Sequence, residues 1–377
     1  MREIRMVDLK GQYEKIKPEI DQAMQEVIDS TAFINGPHVK SFARNLEEYL
    51  DVKHVIPCGN GTDALQVALM SLDLKPGDEV ITSTFTFIAT AEVIALLDLK
   101  PVLVDVDPDT FNIDPEKIEE ALSERTKVII PVHLFGQCSD MDRIMNIARE
   151  HNLSVVEDAC QAIGAEHKSE NGKTMKAGTI GDMGCMSFFP SKNLGAFGDA
   201  GAVFTNNDEL AKELRGIVNH GSFKKYYHEY IGVNSRMDTL QAAILDVKLK
   251  YLDNYIDARQ TAARYYDEKL SNHPKIDVPE RENFSSHVFH QYTLKLGPSI
   301  DREKMKQHLK DKGIPSMVYY PLPLHLQKAY LVDGKGKGSL PVAEQLSEQV
   351  LSLPMHTELD EEQMEYIIKT ILNYLKS

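Results

Sequence analysis

A lysine held between a strand-like run and a glycine-punctuated loop is a candidate nucleophile. Lys192 stands in Ser187-Phe188-Phe189-Pro190-Ser191-Lys192-Asn193-Leu194-Gly195-Ala196-Phe197-Gly198-Asp199. Gly181 to Phe189 predicts a strand, Pro190 ends it, and Gly195 and Gly198 permit tight turns. Ala200 to Thr205 predicts the next strand. A lysine on such a connector can be partly desolvated, which lowers its pKa and frees a neutral amine to form a Schiff base with a carbonyl. Read alone, Lys192 is more readily an ordinary surface side chain in a loop, as one short motif usually is, and the rest of the chain must reverse that reading.

Two other stretches carry chemistry. Glu157-Asp158-Ala159-Cys160-Gln161 follows the apolar run Ser154-Val155-Val156. A carboxylate at the end of a buried strand needs a cation or hydrogen-bond donors. Asp158 is therefore either a helix cap or the partner of a protonated ring nitrogen. Cys58-Gly59-Asn60-Gly61-Thr62-Asp63 feeds a helix. Such a turn offers free backbone N–H groups at the positive end of the helix dipole, an anion site, or is simply a capped turn. It matches neither the GxxxxGK nor the GxGxxG pattern.

The elements that must position these residues alternate. Strands are predicted at His54 to Pro57, Glu79 to Ser83, Pro101 to Val106, Lys127 to Val132 and Leu153 to Glu157. Helices are predicted at Pro18 to Ser30, at Pro37 to Leu50, after the Cys58–Leu65 glycine turn as far as about Leu72, at Phe85 to Leu97, at Pro115 to Leu122 and at Asp140 to His151. This repetition predicts an α/β fold with a mainly parallel sheet covered on both faces. Ligands of open α/β sheets sit at the carboxyl ends of the strands, which gathers Gly59–Thr62, Thr84–Phe87, His133 and Asp158. From Asn206 to about Leu270 the chain reads as mostly helical, interrupted at Gly232–Asp238. Beyond Asn272 the pattern turns α+β, with strands at Gln291 to Leu296 and Met317 to Tyr320. Helices are expected at Arg302 to Lys312, Val342 to Leu351 and Glu361 to Leu375, with a surface loop at Asp333–Gly338. Two domains are expected, a large one over 1–250 and a smaller one over 251–377, with packing of the N-terminal helix on the small domain as an alternative.

Composition narrows the function. The chain has 377 residues, 42% hydrophobic and 26% charged, as in ordinary globular proteins. A formal charge of −15 argues against nucleic-acid binding, yet leaves room for a locally positive anion site. No apolar run approaches membrane-spanning length, and the start lacks a signal-peptide core. Cys58, Cys138, Cys160 and Cys185 lack zinc-ligand spacing, and no HExxH pair occurs, so no metal is expected. Scattered cysteines of this kind fit reduced thiols in a cytoplasmic protein.

Taken together, the motifs resemble the pyridoxal 5'-phosphate (PLP) site of fold-type-I aminotransferases and, more narrowly, the DegT-type nucleotide-sugar aminotransferases. The resemblance runs from Val7-Asp8-Leu9 to Leu353-Pro354-Met355-His356. It includes Asn60-Gly61-Thr62-Asp63-Ala64-Leu65, Glu157-Asp158-Ala159, the Ser187–Lys192 run, Asn234-Ser235-Arg236-Met237-Asp238 and Tyr320-Pro321-Leu322-Pro323-Leu324-His325. It implies a large three-layer domain with a mixed sheet and a small C-terminal α+β domain.

The resemblance also implies roles. Lys192 would bind PLP covalently and later carry the proton. Asp158 would hold the pyridinium nitrogen protonated, and Gln161 the phenolic oxygen. Phe87, ahead of Phe85, would stack on the ring. Gly61, Thr62 and Ser187 would hold the phosphate, joined by Asn234 of a neighbouring subunit in a homodimer with composite sites. Arg236 would meet a substrate anion or pair with Asp238. Tyr319, Tyr320 and His325 would line the sugar pocket or serve packing. The implied reaction moves an amino group from glutamate to a keto group, C3 expected and C4 the alternative, of a nucleotide-linked sugar used in glycan biosynthesis. A PLP-dependent sugar dehydratase and a catalytically silent regulatory protein are the alternatives on the same fold. Cys160 replaces a frequent alanine, Ala200 a frequent glycine, and Tyr319 a histidine seen in some members that act on a glucuronate.

Overall fold

A computed structural model describes residues 2–331 and 335–376. In chain order the first half builds α1 (Leu9–Ser30), α2 (Pro37–Leu50), β1 (His54–Cys58), α3 (Gly61–Met70), β2 (Glu79–Ser83), α4 (Ala89–Leu96) and β3 (Lys100–Val104). It continues with α5 (Pro115–Ala121), β4 (Thr126–Ile130), α6 (Met141–His151), β5 (Ser154–Asp158), β6 (Glu166–Lys168), β7 (Thr174–Lys176), β8 (Met183–Ser187), β9 (Gly201–Thr205) and α7 (Asp208–Ile217). The remainder is α8 (Thr239–Leu249), α9 (Leu252–Leu270), β10 (Ile276–Asp277), β11 (Tyr292–Leu296), α10 (Arg302–Asp311), α11 (Pro341–Gln349), β12 (Val350–Leu353) and α12 (Glu361–Lys376).

Seven strands form one sheet in the order β1-β9-β8-β5-β4-β2-β3. All neighbours pair in parallel except β9, which runs antiparallel to both β1 and β8. Successive strand residues point to opposite faces, and the core divides accordingly. Val80, Val128, Val156 and Val203 pack with Leu65, Ile94 and Leu214 of α3, α4 and α7. Their neighbours Ile81, Ile129 and Val155 pack on Ile118 and Ile144 of α5 and α6. Ala202, Phe204 and Met186 continue that second face under α2 and α8. The three-layer α/β expectation is thus met. The second cluster joins Ala262, Tyr266 and Leu270 of α9 to the antiparallel sheet β10-β11-β12 and to α10 and α12. The α9 helix spans both clusters, because Leu252 and Ile256 belong to the first.

Several sequence expectations require correction. The first helix starts at Leu9, where the Asp8 side chain accepts the Gly11 N–H at 3.0 Å, and Pro18 lies inside it. Its missing donor is accommodated by non-helical backbone at Ile16. Phe85 to Ile88 is not helical: Phe85 is fully buried against Phe111 and Tyr320, and α4 begins at Ala89. Met317 to Tyr320 makes one bridge, Met317 to Ser352, not a strand. The helix expected to reach Leu351 ends at Gln349, and Val350–Leu353 is β12, pairing with β11. The β6–β7 hairpin and β10 were not anticipated. The segment from Val218 to Asp238 is a longer interruption than the glycine loop predicted. Of the loop expected at Asp333–Gly338, Asp333 and Gly334 lie outside the described residues.

Candidate active site

The carboxyl ends of β1, β5 and β8, with the segments after β2 and before β11, enclose a cavity of about 430 Å³. Gly61, Thr62, Phe87, Asp158, Gln161, Ser187, Lys192, Tyr319 and Tyr320 line it, so nine of the predicted site residues converge here. A volume of this order suits a cofactor with part of a substrate.

One end is an anion cradle. The Asn60 side chain caps α3 by accepting the Asp63 N–H at 2.8 Å, and the Asn60 carbonyl takes the Ala64 N–H. Among the described residues, the Gly61 and Thr62 N–H groups have no such partner. Ser235 locks the turn, its Oγ accepting from Gly59 N at 2.9 Å while its hydroxyl donates to Asp63 at 2.6 Å. Gly61 is required by close approach: a Cβ there would lie 2.6 Å from the Cβ of Ser187 and 3.0 Å from the Sγ of Cys160. That contact brings the start of α3 against the Ser187 end of β8.

At the floor, Asp158 ends β5. Its Oδ2 accepts the Thr90 hydroxyl at 2.8 Å and its Oδ1 the Cys160 N–H at 3.2 Å. Two donors thus hold a carboxylate only 6% exposed. Gln161 is oriented by the Phe135 N–H, which its Oε1 accepts at 2.9 Å, leaving its amide N–H to donate to the Tyr320 hydroxyl at 3.2 Å. Burial raises the Tyr320 phenol well above its ordinary pKa, so it stays protonated. Phe87, 56% exposed, forms a flat apolar wall, whereas Phe85 is buried in the core. This separates two aromatics that sequence alternation could not distinguish.

Lys192 reaches the cavity from the loop after β8, its own N–H donating to Phe189 O at 2.8 Å. Burial lowers its amine below the usual lysine pKa, and the nearby Cys160 and Asp158 oppose that shift without reversing it. Burial pushes the Cys160 thiol well up, and Asp158 adds to it, so Cys160 is a neutral neighbour.

Three predicted residues lie elsewhere. His325 is buried behind the wall, where it bonds Thr84 through Nδ1 at 2.8 Å and Glu344 through Nε2 at 3.1 Å. It braces the end of β2 and does not line the cavity. Asn234 is exposed and Arg236 partly buried, and neither is on the wall of this chain's own cavity. Thr86, within the Thr84–Phe87 stretch expected at the strand ends, also lines the cavity, and His290 and Gln291 line it without having been anticipated. The Nδ1 of His290 and the Oγ1 of Thr86 are buried without partners among the described residues. The sequence signal was slight: two histidines within the run His287-Val288-Phe289-His290-Gln291 before a strand.

Comparison with known proteins agrees with this geometry. The chain is 48% identical over 375 residues to a Geobacillus stearothermophilus protein named a pleiotropic regulatory protein, covering 99% of each. It is 45% identical over 370 residues to the Pseudomonas aeruginosa UDP-2-acetamido-2-deoxy-3-oxo-D-glucuronate aminotransferase, covering 98% of this chain and 100% of the relative. The structure superposes on that of ntda from Bacillus subtilis with bound cofactor pmp with a TM-score of 0.88 at 37% identity, covering 96% and 82% of the two chains. The model of the DegT/DnrJ/EryC1/StrS aminotransferase family matches residues 14–372, and with the lysine, carboxylate and anion cradle assembled in one cavity the chain belongs to that family.

Proposed function

We propose that this aminotransferase uses PLP to move an amino group from glutamate to a keto group of a nucleotide-linked sugar, at C3. The observation that carries the cofactor reading is the convergence of Lys192, Asp158 and the uncapped N–H groups of Gly61 and Thr62 in one cavity. The residues present fit the group. Thr62, Gly61 and Ser187 are placed for a phosphate, Phe87 for one face of a ring, and Gln161 for a phenolic oxygen. Asp158 would keep a ring nitrogen protonated, its own charge steadied by Thr90 and the Cys160 amide. When bound, PLP supplies an electron sink for the carbon that loses its proton. Lys192, its amine made more available by burial, is the group that takes and returns that proton.

The carbon assignment rests on likeness to the relative whose name specifies a 3-oxo sugar. Amination at C4 is the alternative. The cavity has no dedicated cation from its own chain besides Lys192 among its lining residues. A second subunit contributing Asn234 and Arg236 to a shared site accounts for why both are displaced from it here. The four unpaired cysteines fit a cytoplasmic location. A regulatory role without catalysis is the second reading, favoured by the name of one relative. It would leave the assembled lysine, carboxylate and cradle without a purpose.

Borohydride reduction of the PLP-loaded protein, followed by peptide mapping, tests the first step. The pyridoxyl group is expected on Lys192, and labelling at another lysine refutes the assignment. A panel of uridine-, thymidine- and guanosine-linked 3-keto and 4-keto sugars, with the product amine located by NMR, tests the second. Turnover of 4-keto sugars alone would move the amine to C4. No turnover and no visible absorbance with PLP would favour the regulatory reading.

A further inference from the structure

The loop that carries Lys192 is held by side chains from a different element. On α8, Gln241 and Lys248 stand seven residues apart and so share one face of the helix. The Oε1 of Gln241 accepts the Phe197 N–H at 2.8 Å. The Lys248 ammonium donates to the Gly195 carbonyl and lies over the Phe197 ring, 5.7 Å from its centroid. Tyr13 of α1 closes on the same ring edge-to-face, at 5.7 Å. Earlier in the loop, Asn193 donates to Val288 O at 2.9 Å. Gly195 tolerates no side chain because a Cβ would run into the Pro190 carbonyl, so this turn has little freedom to rearrange.

Lys248 is a costly choice for a merely structural contact. Lys248 is only 2% exposed, and among the described residues the groups held against its ammonium are the Gly195 carbonyl and the Phe197 ring, not a carboxylate. Asp246, the nearest acid on α8, is engaged by Ser41 and Asn45 of α2. The charged neighbour is Arg259 of α9, which is unfavourable, and burial with that repulsion brings the lysine down to about 8. An apolar residue would pack there without this penalty. It would, however, leave the Gly195 carbonyl with no donor and the loop with one anchor fewer.

We propose that Gln241 and Lys248 are positioning residues for transamination, a two-point clamp from α8 that sets where the Lys192 amine stands in the cavity. This deepens the function proposed above and rests on Lys192 being the reacting amine. A displacement of about 1 Å at a reacting group can cost on the order of a hundredfold in rate.

The test uses Lys248→Met, Gln241→Leu and Gln241→Glu, the last keeping an acceptor for Phe197. In the cofactor-free chain, amide exchange at Ala196 and Phe197 is expected to quicken roughly tenfold in Lys248→Met and Gln241→Leu, and to return toward wild type in Gln241→Glu. In the PLP-loaded chain, kcat should fall roughly ten- to hundredfold in the first two, with the sugar KM within about twofold. The pH midpoint of the visible absorbance should move in the same two variants. Melting temperature should hold or rise in Lys248→Met, since a buried uncompensated charge is gone. Unchanged exchange and an unchanged pH midpoint in both loss variants would overturn the clamp. If Lys248→Met does not fold, the Gln241 pair decides alone by the same criteria. Faster exchange together with labelling at a lysine other than Lys192 would keep the loop contacts and overturn their role in catalysis.

Discussion

Replacing Gly61 by alanine should separate phosphate binding from the rest of cofactor recognition. The added Cβ would sit 2.6 Å from the Ser187 Cβ and 3.2 Å from its Cα. Carbon atoms in ordinary contact are about 3.5–4.0 Å apart, so the first turn of α3 must withdraw by about 1 Å. A hydrogen bond of about 2.9 Å then lengthens to nearly 4 Å and ceases to be one. Two N–H groups, those of Gly61 and Thr62, are involved, and bonds to a charged acceptor contribute about 1.5–3 kcal/mol each. Taking the lower figure for both gives about 3 kcal/mol, a loss of about two orders of magnitude in affinity. Overpacking should also cost about 1–3 kcal/mol of stability. The assay is titration of the cofactor-free protein with PLP and, separately, with pyridoxal, which has no phosphate. PLP affinity should fall about a hundredfold while pyridoxal affinity changes little, so the gap between them narrows. An undiminished gap in a protein that melts normally would show that the start of α3 is not the phosphate site.

Other expectations are as direct. Thr90→Val removes the hydroxyl that Asp158 Oδ2 accepts at 2.8 Å, and should weaken PLP binding about tenfold, read by the same titration; unaltered binding would mean the carboxylate is held without it. Mixing inactive Lys192→Ala with inactive Asn234→Asp subunits should restore activity in hybrid dimers, whereas a fully active monomer in sedimentation would rule out shared sites. Burial holds His287 at about 3 and His356 at about 4, both below the ordinary 6.5 of histidine. The unfolded chain therefore binds more protons between those values and 6.5, so the stability from these neutral rings is complete above pH 6.5 and is lost as pH falls toward 3. Urea denaturation from pH 8 to pH 4 should show a decline on the order of several kcal/mol. His287→Gln, which keeps an acceptor for the Phe289 N–H, should cut it by about half, leaving the share of His356; an unchanged acid limb would refute the assignment.

Much of the frame was legible because its signals are local. Strand-to-helix alternation through β5 needs only periodicity and turn residues, and the sheet followed. The errors have specific causes. Phe85 and Phe87 fit a helical pattern with the α4 residues, but one is drawn into the core beside Phe111 and Tyr320 and the other is left at the cavity. Val350–Leu353 is a short apolar run after a helix, and such runs do not reveal whether the helix continues or a strand begins. Only pairing with β11, far away in sequence, decides for the strand. The reversed direction of β9 likewise depends on partners, since its residues alternate the same way in either direction.

The site divides along the same line. Residues whose place is set by the end of their own strand, such as Asp158 at the end of β5 and Ser187 at the end of β8, could be found from neighbouring letters. Those whose place depends on a distant partner could not. His325 stands in a motif that resembles pocket-lining sequence, yet Thr84 and Glu344 draw it behind the wall. His290 reaches the cavity because Arg259 holds the carbonyls of Phe289 and His290 and of Met355 together from α9, an arrangement that no local pattern announces. The same holds for Lys248, a single lysine on a helix whose other buried residues are nearly all apolar. Its burial against Gly195, 53 positions away, turns it into a determinant of where Lys192 stands. Functional weight in this chain is therefore carried partly by residues with no chemistry to perform on a substrate. A substitution at α8 should be felt at the reacting amine before it is felt in the stability of the fold.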